Sequence, residues 1–243
     1  MPRAAIELHL FSTPGPDDSL DWVVEACRPY VEGKARATIA YLPLASLYAE
    51  KFLPETEKAF GSLGRIETIN TEAMEMAEME SVLRRASVAY IPGGNTFLLN
   101  HRLHISRLFP YLRQKVQSGL PLVGVSAGTV LCGPNILTSN DLNMVPTPHF
   151  DGLNLAPFNF HVHYSGEPER DNRLLDYQAF HDNPIILMED EAYIRIRGKD
   201  TRLVRGRAWI WHAGQEKERL EAGTDIPVHM EAYSGRRAPQ EHI

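Results

Sequence analysis

The chain has 243 residues and a net charge of −6, with 43% hydrophobic and 23% charged residues, the make-up of a globular protein with one sizeable core. Lysine and arginine are scattered rather than massed, which argues against a nucleic-acid partner, and no apolar run has the length of a membrane span. Met1-Pro2-Arg3-Ala4 leads quickly into the polar segment Ser12–Ser19, unlike a signal peptide, and Cys27 and Cys132 have neither metal spacing nor a disulfide framework. The expectation is a cytoplasmic protein of one domain over 1–243, with a loose polar tail at 234–243.

In chain order, Ala5–Leu10 predicts a first strand closed by the turn residues Phe11–Pro16. Asp17 or Asp18 caps a helix reaching about Val31, with Leu20, Val23, Val24 and Cys27 at helical spacing. A second strand follows at Ala37–Leu44, then a helix at Tyr48–Leu63 that Pro54 is expected to interrupt and Gly64 to end. Arg65–Ile69 predicts a third strand, Glu72–Ala86 a third helix, Val88–Ile91 a fourth strand and Arg107–Gln117 a further helix. The apolar run Leu120–Val125 predicts a buried strand. This alternation predicts an α/β fold: a mostly parallel, doubly wound sheet with helices on both faces. After Ser126 the rhythm changes. Pro184–Leu187, Ala192–Ile196, Arg202–Val204 and Ala208–Trp211 predict short strands, read as a C-terminal antiparallel extension at one edge.

The chemistry centres on Gly124-Val125-Ser126-Ala127-Gly128, a G-x-S-x-G turn between a strand and a helix. Such a turn exposes the serine hydroxyl, and a Cβ on either glycine would crowd strand against helix. The pentapeptide also fits an ordinary turn with a solvated serine, so its neighbours decide. Pro92-Gly93-Gly94-Asn95-Thr96-Phe97 follows the fourth strand, and ligands bind beyond the carboxyl ends of strands in doubly wound sheets. There Gly94 and Ala127 are candidate oxyanion N–H donors, and Asn95 a helix cap at the site. His161-Val162-His163 puts two imidazoles on one face of an extended segment. A metal pair, structural histidines and a general base for Ser126 all fit that spacing, although no further metal ligands are evident. An orienting acid is available from Glu189-Asp190-Glu191 or from Asp141.

Taken together, PGGNTF at Pro92–Phe97, GVSAG at Gly124–Gly128, TSND at Thr138–Asp141 and HVHY at His161–Tyr164 resemble serine peptidase family S51, the peptidase E or α-aspartyl dipeptidase family, in order and spacing over about Ile91–Ile196. The resemblance implies a Ser–His–acid triad on a class I glutamine-amidotransferase-like fold, with no metal or organic cofactor. Carried over residue by residue, Ser126 is the nucleophile, His163 the base and Asp190 the acid, matched through Tyr193 and Ile196. Peptidase E members have Glu at that position, so Asp190 is a departure, Glu189 a rival, and Asp141 a further site acid of structural or substrate-orienting role. The stretch Gly166–Arg173 resembles a family segment whose arginines, here Arg170 and Arg173, would hold the carboxylate of an N-terminal aspartate.

The function implied is a serine dipeptidase acting on small peptides, with N-terminal Asp as first choice. It has no nucleic-acid or membrane partner, and the resemblance allows a homodimer whose partner subunit closes the site. Four alternatives stand beside it. One is an S51 peptidase of broader specificity, since the family includes relatives such as cyanophycinase. Another is an α/β-hydrolase esterase, in which His212 or His229 would serve as base. The third is a binding protein that has lost catalysis. The last, glutamine amidotransfer, is disfavoured because the elbow carries serine rather than cysteine.

Overall fold

A computed structural model describes residues 5–61 and 63–227. His229 and the tail expected at 234–243 lie outside the described residues. The main sheet has seven strands in the order β3-β2-β4-β5-β1-β8-β9. Its parallel part comprises β1 (Glu7–Phe11), β2 (Thr38–Tyr41), β3 (Arg65–Thr68), β4 (Val88–Ile91) and β5 (Leu122–Val125). Helices α1 (Asp21–Val31), α2 (Ala49–Phe60), α3 (Met76–Arg85), α4 (Thr96–Ile105) and α5 (Leu108–Gln117) connect these strands.

The inner strands β2, β4 and β5 are buried along their whole length, which is why they read as nearly continuous apolar runs, whereas the edge strand β3, Arg-Ile-Glu-Thr, is only partly buried. Along β2, Ile39 and Tyr41 pack with Cys27 of α1 and Phe60 of α2, whereas Ala40 and Leu42 belong to the cluster holding Leu83 of α3 and Leu112 of α5. After β1 and β2 the chain steps toward the β3 edge, and after β3 and β4 it steps back. Opposite directions of travel put the connecting helices on opposite faces when all crossovers share one hand. Pro54 does not interrupt α2, which runs unbroken from Ala49 to Phe60. The proline sits in the second turn, where it removes one N–H bond without forcing the chain out of the helix.

Beyond β5 the order is more mixed than a single edge extension. β8 (Tyr193–Arg197) pairs antiparallel with β1, and β9 (Asp200–Arg205) with β8, as expected for such an extension. The other predicted strands, β7 (Ile185–Met188) and β10 (Arg207–Trp211), leave that edge. They form a separate sheet of order β11-β10-β7-β6 with β6 (Asn159–His161) and β11 (Glu218–Glu221). The reason is visible in β6: it pairs parallel with β7, a partner distant in sequence, with His161 opposite Leu187. One buried cluster takes residues from both sheets, including Leu10, Ile91, Phe160, Met188 and Ile210. Cys27 and Cys132 are free and fully buried, and burial raises both thiol pKa values. Among the described residues no helix is long and apolar enough to cross a membrane.

Candidate active site

The carboxyl ends of β1, β2, β4 and β5 open onto one cleft of about 660 Å³, which contains Ser126 and His163. Ser126 follows directly on β5 and takes φ 49° and ψ −106°, a conformation that costs on the order of 1–3 kcal/mol for a residue with a Cβ. Surrounding bonds fix it there. Its N–H donates to the Phe11 carbonyl at 2.9 Å, while its own carbonyl accepts from Thr129 at 2.9 Å and Val130 at 3.0 Å. The short helix α6 (Ala127–Val130) starts immediately after it. A Cβ on Gly124 would lie 2.7 Å from the Gly128 oxygen, and one on Gly128 would lie 2.4 Å from the Ile91 oxygen. These contacts explain why the elbow is written with two glycines.

The second sheet delivers His163 and Asp190. Because β6 and β7 run parallel, the residues just past their ends come side by side, and the Tyr164 N–H reaches the Met188 carbonyl at 2.9 Å. His163 Nε2 lies 3.0 Å from Ser126 Oγ, and His163 Nδ1 lies 2.7 Å from Asp190 Oδ1. Acidic Asp190 makes Nδ1 the protonated nitrogen of the neutral ring, leaving Nε2 to accept from the serine hydroxyl. His163 also has a left-handed φ of 57°, with its N–H donated to Ser12 Oγ at 2.9 Å and its carbonyl accepting from Arg170 Nη1 at 2.5 Å. Thr13 binds the Asp190 carbonyl twice, through N–H at 3.2 Å and Oγ1 at 2.7 Å. Ser12 and Thr13 therefore tie the two sheets together beneath the His163–Asp190 pair.

The remaining expected residues occupy distinct places. Gly94 lines the cleft with φ 134°, where a Cβ would meet the Ala45 oxygen at 2.5 Å. Ala127 directly follows Ser126. Asn95 caps α4 by accepting from the Leu98 N–H at 2.9 Å. Asp141 is turned the same way: its Oδ2 accepts from the Thr96 N–H at 2.7 Å and from Ser139 Oγ at 3.0 Å, so it completes the start of α4 rather than touching His163. Glu189 instead accepts from Arg207 Nε at 2.8 Å. Arg170 is engaged by the His163 carbonyl and, at 2.9 Å, by Glu167. Arg173 donates to Asn140 at 2.9 Å. Neither arginine lines the cleft.

His161 and His163 do not act as a pair. His161 is fully buried, its Nδ1 is 2.9 Å from the Thr138 carbonyl, and burial lowers its pKa to about 4. No cluster of three or more metal-ligating side chains occurs among the described residues. His212 lies beyond the end of β10 and does not line the cleft. Sequence reasoning missed Ser12 and Thr13. Their signal was their position as polar residues just past the carboxyl end of β1, the rule already used for Gly94.

The mostly parallel sheet with helices on both faces, and the cleft at its carboxyl end holding Ser126 and His163, define an α/β protein of the class I glutamine-amidotransferase-like kind. A family model described as peptidase family S51 matches residues 17–204, and the chain belongs to that family. It is accordingly a peptidase, a hydrolase of peptide bonds. It is 32% identical over 201 residues to a Drosophila melanogaster protein named "Probable alpha-aspartyl dipeptidase", covering 78% of this chain and 82% of the relative. It is 29% identical over 215 residues to peptidase E of a Nostoc species, covering 83% and 87% of the two chains. The crystal structure of a peptidase from an acI-B1 Actinobacterium superposes with a TM-score of 0.71 over 92% of this chain and 98% of the other, at 16% identity, a likeness of fold.

Proposed function

We propose that the protein is a serine dipeptidase in which Ser126, His163 and Asp190 form the catalytic relay. The observation that carries this reading is the continuous pair of contacts from Ser126 Oγ through the imidazole to Asp190 Oδ1, at 3.0 and 2.7 Å. Ser126 Oγ attacks the peptide carbonyl while its proton passes to His163 Nε2, and Asp190 stabilises the imidazolium that results. The N–H groups of Gly94 and Ala127 receive the charge developing on the carbonyl oxygen. As the C–N bond breaks, His163 returns the proton to the departing amine. Water then gives a proton to His163 and its oxygen to the acyl carbon, releasing the free acid and restoring the Ser126 hydroxyl. The residues and water account for every proton moved.

The name of the fly relative makes peptides with N-terminal Asp the first substrates to try, and Arg170 and Arg173 the residues to test for holding that carboxylate. The reading carries with it one working domain, a cytoplasmic location and a homodimer, which limited proteolysis, fractionation and light scattering measure directly. The deciding experiment is covalent labelling by a serine-directed fluorophosphonate, with mapping of the modified peptide. Ser126 is expected to carry the label. Ser126→Ala should abolish it, and His163→Ala should slow it by about 10⁴-fold or more. Labelling that is unaffected by His163→Ala would return the chain to the esterase or binding-protein readings.

A further inference from the structure

The cleft beside Ser126 has a one-sided chemistry. Its inner wall is apolar and aromatic: Tyr41 and Tyr90 are each 2% exposed, and Pro43, Leu98 and Val125 are buried beside them. Burial raises the pKa of both tyrosines, so their hydroxyls stay neutral. Toward solvent the apolar lining continues through Leu47, Phe52 and Met144, which are 59%, 52% and 56% exposed. Large hydrophobic side chains left open around one concave site mark a surface that covers apolar groups of a ligand.

The charges in the cleft all have one sign. Asp17 and Asp18 line it from the turn after β1, and Glu55 lines it from α2. No lysine or arginine is among its described lining residues. Several cations elsewhere in the structure are already engaged. Arg102 donates to the carbonyls of Leu44 and Ser46 at 3.2 and 2.7 Å, and Lys51 lies 4.6 Å over the Tyr48 ring. Arg170 and Arg173 hold the His163 carbonyl and Asn140. A carboxylate side chain seated against the buried wall of Tyr41, Tyr90, Leu98 and Val125 would lose water and find no fixed cation among the described lining residues, and the exposed Asp17, Asp18 and Glu55 at the mouth add a weaker, solvent-screened repulsion. An apolar side chain meets none of those costs, and the same carboxylates suit the ammonium group of a peptide N-terminus.

We propose that the substrate residue whose carbonyl Ser126 attacks bears an apolar or aromatic side chain, and that acidic residues are disfavoured there. This proposal rests on the serine-peptidase reading above, and it departs from the α-aspartyl preference named for the fly relative. Leu98 and Phe52 supply the contact for that side chain, and Glu55 is a residue that repels a carboxylate.

The test compares kcat/KM for Leu-, Met-, Phe- and Asp-p-nitroanilide and the matching X-Leu dipeptides, with phosphonate labelling of Ser126 run in parallel. The apolar substrates are expected to exceed the Asp substrates by at least about tenfold. Glu55→Lys, an exposed change on α2, should raise the Asp-to-Leu ratio by about fivefold. Preference for Asp, or equal rates, would overturn the proposal while leaving the peptidase reading intact. Silence across the panel with Ser126 still labelled would overturn it as well, because the cleft would then accept none of these residues. Silence without labelling would overturn the serine-peptidase reading and this one with it. An unchanged ratio in Glu55→Lys would remove Glu55 from the selection.

Discussion

At the scale of single residues, the carboxylate question turns on direction rather than proximity in sequence. Asp190 and Glu189 are adjacent, yet Asp190 meets His163 Nδ1 at 2.7 Å and Glu189 meets Arg207 at 2.8 Å. Asp190→Asn should therefore lower kcat by about 10²–10⁴-fold by disturbing the tautomer, whereas Glu189→Gln should stay close to the parent rate. Steady-state kinetics on one good substrate checks both, and comparable losses would mean that the acid is shared. That Ser126, His163 and Asp190 would meet was legible in the sequence through their neighbours and their order along the chain, and the contacts at 3.0 and 2.7 Å bring them together. What was not legible was which side of a strand end each carboxylate would face. Asp141 looked like a site acid for the same reason: a polar residue near a catalytic motif can serve the reaction or, as here, the amide of Thr96.

At the scale of elements, the elbow is a packing problem solved without side chains. The hypothetical Cβ of residue 128 falls 2.4 Å from the backbone oxygen of Ile91, an atom that cannot rotate away. Gly128→Ala should cost on the order of 1–3 kcal/mol, read as a lower urea midpoint at unchanged m-value, and an unaltered midpoint would show that β4 can shift aside. The parallel strands were readable because they are short segments between turn residues and helices of expected length, apolar throughout in β4 and β5. The second sheet was harder. β11 reads Glu-Arg-Leu-Glu, with only Leu220 buried, and so offers no apolar run to find. Strand existence was written locally for β7 and β10, which pair with each other, but the edge strand beyond β7 is β6, a three-residue strand visible in the sequence only as an extended segment around two histidines.

At the scale of the whole molecule, two buried histidines set a pH limit on the fold. His9 is 4% exposed between the hydroxyls of Tyr193 and Tyr30, at 2.6 and 2.7 Å, and His161 is fully buried. Burial is the main cause that lowers each pKa from 6.5 to about 4, with Glu7 opposing and Arg195 adding at His9. The folded state thus keeps both rings neutral where the unfolded chain would protonate them. The stabilisation is complete above pH 6.5 and is lost as pH falls from 6.5 to about 4, by on the order of 3 kcal/mol for each ring. Urea midpoints measured across that window should fall more steeply for the parent than for His9→Gln; equal slopes would remove His9 as a cause. A different consequence follows from the way Ser126, the nucleophile of the proposed relay, hangs from one sheet and His163 from the other. Their alignment draws on Ser12 and Thr13, whose three bonds to His163 and Asp190 span 2.7 to 3.2 Å. These few ties are weaker than the core beneath them, so a slight parting of the sheets would silence the enzyme while every helix persists. In rising urea, turnover is expected to vanish before the far-ultraviolet circular dichroism changes, making the enzyme's own reaction a gauge of how firmly its halves are joined.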